Sequence, residues 1–171
     1  LAPNITASDP CEPFNFTSEK IVPGWTGVVC SGFCVDLDPG ACRVEDLNLM
    51  YVMFAGGSLP ASLGLLDQTT SLNFMGNSLG GTIPASLGSL SKLTSLSLAQ
   101  NFLTGPLPEP VLCNPLLNMI QLDFNRLTSY IPDCATAGKE YNIETVFFKG
   151  NQFTGTIPEW LFTYRVNQSE R

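Results

Sequence analysis

The chain has 171 residues, 44% of them hydrophobic and 13% charged, which fits one folded domain and excludes an intrinsically disordered segment. Fifteen acidic against eight basic side chains give a net charge of −7, which argues against nucleic acid or an anionic membrane surface as partner. Histidine is absent, so the commonest general base and a frequent zinc ligand are both missing.

From the start of the chain, residues 1–46 hold seven acids against Lys20 and Arg43, and beyond them the charges nearly balance. The chain begins at Leu1 without a charged-then-apolar leader, and the expectation is a signal peptide already removed or a sequence that starts downstream of it. Asn4, Asn15 and Asn167 each open an Asn-X-Ser/Thr sequon, all outside the repetitive part described next. The six cysteines are Cys11, Cys30, Cys34, Cys42, Cys113 and Cys134. An even count without histidine fits disulfides better than zinc, and with the sequons it points to secretion through an oxidising, glycosylating pathway. Asp36 and Asp38 beside Pro39-Gly40 read as a turn rather than a calcium loop, so no metal or other cofactor is expected.

A repeat follows. Pro60, Pro84, Pro108 and Pro132 are spaced by 24 residues, and Pro158 lies 26 further on. Each closes the same phrase, clearest in Leu72-Asn73-Phe74-Met75-Gly76-Asn77-Ser78-Leu79-Gly80-Gly81-Thr82-Ile83-Pro84 and again from Leu96 to Pro108. A period of this length with LxLxxNxL inside it is the signature of a leucine-rich repeat solenoid. Aligned on the Asn, five turns carry Val52 (a departure), Asn77, Asn101, Asn125 and Asn151. Three and five residues earlier stand Leu49 and Leu47, Phe74 and Leu72, Leu98 and Leu96, Leu122 and Ile120, Phe148 and Val146. That alternation predicts a short strand with one buried face. Phe54, Leu79, Leu103, Leu127 and Phe153 then point inward, before a bend at Gly56, Gly81, Gly105, Ser129 and Gly155. The Asn carboxamides are expected to satisfy backbone groups of neighbouring turns. The last interval is lengthened within Ala135–Tyr141. The segment Gln68–Ser91 lacks charge but is rich in Ser, Thr, Gly and Pro, so no membrane span is predicted.

The phrase Leu-x-x-Leu-x-Leu-x-x-Asn-x-Leu-x-Gly-x-Ile-Pro, with Ala85-Ser86-Leu87-Gly88-Ser89-Leu90, resembles the plant-type leucine-rich repeat. Asp9-Pro10-Cys11 and Trp25-Thr26-Gly27-Val28-Val29-Cys30 are similar to that family's N-terminal cap. The resemblance covers residues 9–162 and implies a recognition module like the extracellular domains of receptor-like proteins and polygalacturonase-inhibitor-like proteins. It also implies a Cys11–Cys30 bridge. Cys34–Cys42 would then close a small loop, and Cys113–Cys134 would join adjacent turns on the outer arc, within reach at a strand spacing of about 4.8 Å. The sequence departs from the family in three ways: only ten residues precede Cys11, where the family has a cap helix; the Cys11–Cys30 spacing is long and a Cys34…Cys42 insertion follows; and there are only five turns.

The expected architecture is an α/β solenoid with parallel strands on the concave face, an irregular or 3-10 convex side, and about five repeats of 24 residues. Residues 1–43 form a disulfide-rich cap, 44–164 the solenoid and 165–171 a tail. The outward strand positions make the concave face. Candidate contacts are Met50, Tyr51, Met75, Met119, Gln121, Asp123, Phe124, Phe147 and Lys149, because aromatic and Met side chains dominate interface energetics. Five strands roughly 17 Å long and about 4.8 Å apart give a face on the order of 400 Å², too small by itself for a standard protein interface. The function expected is a secreted or cell-surface glycosylated module, non-catalytic, recognising an extracellular protein, peptide or glycan. The alternative is a structural subunit of a wall, sheath or filament, built by lateral self-association. Inhibition of a secreted hydrolase follows from the family analogy alone and ranks last.

Overall fold

The computed structural model describes residues 28–31, 43–54, 56–134 and 143–163. The Cys11–Cys30 and Cys34–Cys42 pairings, the three sequons, the Asp36–Asp38 turn, the lengthened last interval and the tail lie outside the described residues.

Among the described residues eight strands are formed: β1 (Val28–Ser31), β2 (Arg43–Asn48), β3 (Ser71–Asn73), β4 (Ser95–Ser97), β5 (Thr104–Gly105), β6 (Met119–Gln121), β7 (Arg126–Leu127) and β8 (Thr145–Phe147). The main sheet has the order β1-β2-β3-β4-β6-β8. From β2 onward every pair is parallel and in register, so Leu47, Leu72, Leu96, Ile120 and Val146 stand side by side, one per coil. β1 runs antiparallel to β2 and adds a strand to the front of this sheet. The ladder outlasts the regular strands, since Phe74 N–H donates to Ser97 O (2.8 Å) and Gly76 N–H to Ala99 O (3.0 Å).

On the convex side the helical turns among the described residues follow the repeated Pro, three of them directly after Pro60, Pro84 and Pro108 and the last starting two residues after Pro158. Two are 3-10 turns, Ala61–Leu65 and Ala85–Ser89, and two are single α turns, α1 (Glu109–Leu112) and α2 (Trp160–Thr163). Pro60, Pro84 and Pro108 sit extended at the N-cap, where a missing N–H costs nothing. The Leu-Gly of the repeat has a steric origin. A Cβ on Gly64 would lie 2.4 Å from Ser86 O, and one on Gly88 2.5 Å from Pro110 O, so consecutive turns approach closer than any side chain permits. Between sheet and turns, Leu96, Leu98, Leu103, Ile120 and Leu122 are fully buried. At the back, Trp160 is buried and donates Nε1–H to Pro132 O (3.4 Å).

The repeated Asn joins the coils. Asn101 Nδ2 donates to Phe74 O of the coil in front (2.9 Å) and to Leu98 O of its own (3.0 Å), while its Oδ1 accepts from Leu79 N–H (3.1 Å). Asn125 repeats this on Leu98 O, Leu122 O and Leu103 N–H, and Asn151 on Leu122 O, Phe148 O and Leu127 N–H. Asn77 keeps both donor bonds, to Leu49 O and Phe74 O, but its buried Oδ1 has no partner. The first coil carries Val52 where the others have Asn, and the ladder stops there.

Past the Asn, sequence analysis placed only a bend. The structure forms a second parallel ladder there. β5 pairs with β7, Ser58 bridges to Gly80, and Thr82 to Thr104. Ser129 adopts the left-handed backbone (φ 72°) that Gly56, Gly81, Gly105 and Gly155 adopt in the other coils. Cys113 and Cys134 are buried and bonded, with Cα atoms 5.3 Å apart, as expected for adjacent coils.

Three outcomes follow from this packing. Asn101→Ala leaves Leu79 N–H without its acceptor and takes one of two Asn donors from Phe74 O and from Leu98 O, and is expected to lower unfolding stability by about 3 kcal/mol, with Asn77→Ala costing about 1 kcal/mol less; urea denaturation of both variants measures the difference. Removing the Cys113–Cys134 bridge, which spans 21 residues, is expected to cost about 3 kcal/mol through the freed unfolded chain, read from the denaturation midpoint of the double Ala variant. Burial raises the pKa of Asp46 in β2 above its ordinary value, against a smaller opposing effect from the Ser71 hydroxyl. The folded state therefore holds this proton more tightly than the unfolded chain. The contribution is complete below the unfolded pKa and is lost as pH rises through the folded one, so Asp46→Asn should raise Tm at pH 7 and flatten its fall across the mildly acidic range.

Candidate functional site

The outward strand column does not form one uniform face. In the middle coil Ser97 is only 4% exposed and Ala99 is likewise buried, because these small residues are paired in register between longer neighbours such as Asn73 and Gln121. They present little to a ligand. The candidate residues fall into two groups on either side. In front, Met50 and Tyr51 are exposed and Met75 is half-buried. Behind, Met119, Gln121 and Asp123 are half-buried, while Phe124, Phe147 and Lys149 are exposed.

The two groups meet along the residues that directly precede the ladder Asn. These are Tyr51, Gly76, Gln100, Phe124 and Gly150, one per coil, and all have positive φ: 55°, 70°, 57°, 55° and 72°. The backbone is fixed there by the ladder, since Tyr51, Gly76, Gln100 and Phe124 each donate N–H to Met75 O, Ala99 O, Asp123 O and Lys149 O. A left-handed conformation suits Gly, and a bulky side chain in it costs on the order of 1–2 kcal/mol. Tyr51 and Phe124 nevertheless occupy it, each with 52% of its surface exposed. Residues held in such conformations cluster at ligand-contact positions.

Glycine in the following coil makes room for each ring. A Cβ on Gly76 would fall 2.0 Å from Tyr51 Cε1, and one on Gly150 would fall 2.8 Å from Phe124 Cδ1. Each ring thus lies over the glycine of the next coil and turns its other surface to solvent. Tyr51 Oη–H donates to Gln100 Oε1 (3.4 Å), which links the front ring to the middle coil. Lys149 Nζ stands 5.8 Å from the Phe124 ring centroid, and Asp123 Oδ1 accepts from the Lys149 backbone N–H (2.8 Å). In the front group Asn73 Oδ1 accepts from Met75 N–H (3.1 Å), and its Nδ2 donates to the Met50 sulfur (3.7 Å).

Sequence analysis named Tyr51 and Phe124 but missed Gln100 and the two glycines. The available signal was the recurrence, at this one position of the repeat, of an aromatic residue followed one coil later by Gly: Tyr51 then Gly76, and Phe124 then Gly150. Among the described residues no group of acidic or sulfur ligands is arranged to hold a metal, and no helix is long and apolar enough to cross a membrane.

The Leucine Rich Repeat family model matches residues 68–90 and 92–114. No curated protein matches the chain. A chain of the BIR3–SERK2 complex from Arabidopsis thaliana is similar at 29% identity and TM-score 0.70, over 93% of this chain and 74% of that one. The plant receptor RGFR1, solved with RGF2, matches at 30% identity and TM-score 0.59, over 64% of this chain and 17% of its own. The Arabidopsis receptor kinase HAESA, solved with the peptide hormone IDA and the co-receptor SERK1, matches at 25% identity and TM-score 0.62, over 72% and 21%. With its family-model repeats, in-register coils and Asn ladder, the chain carries leucine-rich repeats and folds as a leucine-rich-repeat solenoid, consistent with the plant type to which these similar receptors belong.

Proposed function

We propose that this protein is a non-catalytic extracellular recognition module that binds a peptide or protein segment on its concave face and the adjoining rim. The observation that carries this reading is the pair of exposed aromatic rings held in left-handed backbone over glycine, flanked by Met, amide and Lys side chains. Each ring packs one surface on the next coil, but the domain itself leaves the other half in solvent, at a backbone position where Gly is favoured. A ligand that covers the rings buries that half as well. Two similar structures support the class of ligand, since HAESA was solved with a peptide hormone and RGFR1 with RGF2. The cysteine count and the sequons support an extracellular setting, with N-linked glycans carried outside the repeats. A chain without histidine lacks the commonest general base.

The reading is tested by incubating immobilised protein with the secreted peptide and protein fraction of its source and comparing wild type with Met119→Ala/Phe147→Ala. Specific ligands should be retained by wild type and lost at least about tenfold in the variant, the loss of one or two interface anchors. Equal recovery from both contradicts it. Light scattering of the same sample separates the alternative of lateral self-association, which requires concentration-dependent growth in mass where the recognition reading expects a monomer.

A further inference from the structure

We infer that the rim takes an extended, largely uncharged peptide segment carrying two apolar side chains four residues apart, with an acidic residue next to the second. This rests on the recognition reading above and specifies its ligand.

The spacing of the two rings sets the step of the ligand. The Tyr51 ring lies at the level of Gly76 in the second coil, and the Phe124 ring at that of Gly150 in the fifth. Both rings lean the same way, so three coil spacings separate them, about 14 Å at about 4.8 Å each. An extended chain advances about 3.4 Å per residue, so four residues span this distance. Four is an even step, which puts both side chains on the same side of an extended segment. A step of three or five would turn one of them away from its ring.

Size and charge restrict the occupant further. A face on the order of 400 Å² is about half of what a globular partner needs on each side, but it is enough for a single extended segment. Between the rings the rim offers the neutral amide of Gln100, whose Oε1 already accepts from Tyr51 Oη. That leaves its amide hydrogens for a polar group of the ligand. Lys149 is an exposed cation beside the Phe124 ring, while the adjacent Asp123 carboxylate accepts from backbone. Charge complementarity therefore places an acidic side chain at the Phe124 end.

The test uses synthetic dodecapeptides with a Gly/Ser/Asn background, two Leu or Trp residues at separations of two, three, four and six, and a Glu beside one of them. Binding is read by fluorescence anisotropy. The four-residue separation should bind most tightly, and Tyr51→Gly or Phe124→Gly should each weaken it about tenfold. Because glycine suits the left-handed backbone, neither variant should lower Tm, so lost binding cannot be ascribed to unfolding. Lys149→Gln should weaken only the peptides that carry Glu. Equal affinity at every separation, no binding at any, or unchanged affinity in both glycine variants overturns the inference. If the dodecapeptides fail while the Met119→Ala/Phe147→Ala comparison still shows ligand loss, recognition stands and only the spacing rule falls.

Discussion

A coil of this solenoid cannot satisfy its own backbone. Each strand ends in a turn whose carbonyl and amide groups are buried between layers, and such groups cost about 1–3 kcal/mol each when left without partners. The Asn carboxamide resolves this with one side chain, because it can donate twice and accept at the same time. Asn101, Asn125 and Asn151 each tie two carbonyls and one N–H across two coils. The fixed interval between them is thus a hydrogen-bonding requirement, and the leucine layers follow its register. Where Val52 interrupts the column, Asn77 Oδ1 is orphaned and the first coil exposes Met53 to 82%.

That constraint also produces the candidate site. To bring each Asn side chain inward, the residue before it takes a left-handed backbone in all five coils, glycine or not. The residues there stand at one height along the rim, repeated every coil. Following each of the two aromatic rings with a glycine in the next coil turns a structural necessity into a pair of flat contact surfaces. The fold determines their spacing and the sequence determines their chemistry.

Much of this was legible before the structure. The strand columns, the five coils and the Asn role all follow from period and residue type, because each is a local pattern repeated in register, and the Cys113–Cys134 bridge followed from the resemblance together with the placing of both residues in adjacent coils. What escaped was of another kind. The second ladder through Thr104 and Arg126 has no alternation of its own, being only two residues wide in each coil. The burial of Ser97 and Ala99 depends on which residues flank them in other coils. The pairing of Tyr51 with Gly76 and of Phe124 with Gly150 joins residues about one coil apart, and reading along the chain does not show a ring lying over a neighbour's glycine.

The central claim is that the Asn column, more than leucine packing alone, holds the coils in register. Amide hydrogen exchange at Leu79 tests it directly, since its N–H donates to Asn101 Oδ1 and to no other atom named above. In the wild type this amide should exchange only through global unfolding, and in Asn101→Ala it should exchange faster than the core amides of Leu98 and Leu122 in the same sample. Equal protection at Leu79 with and without the carboxamide would contradict the account.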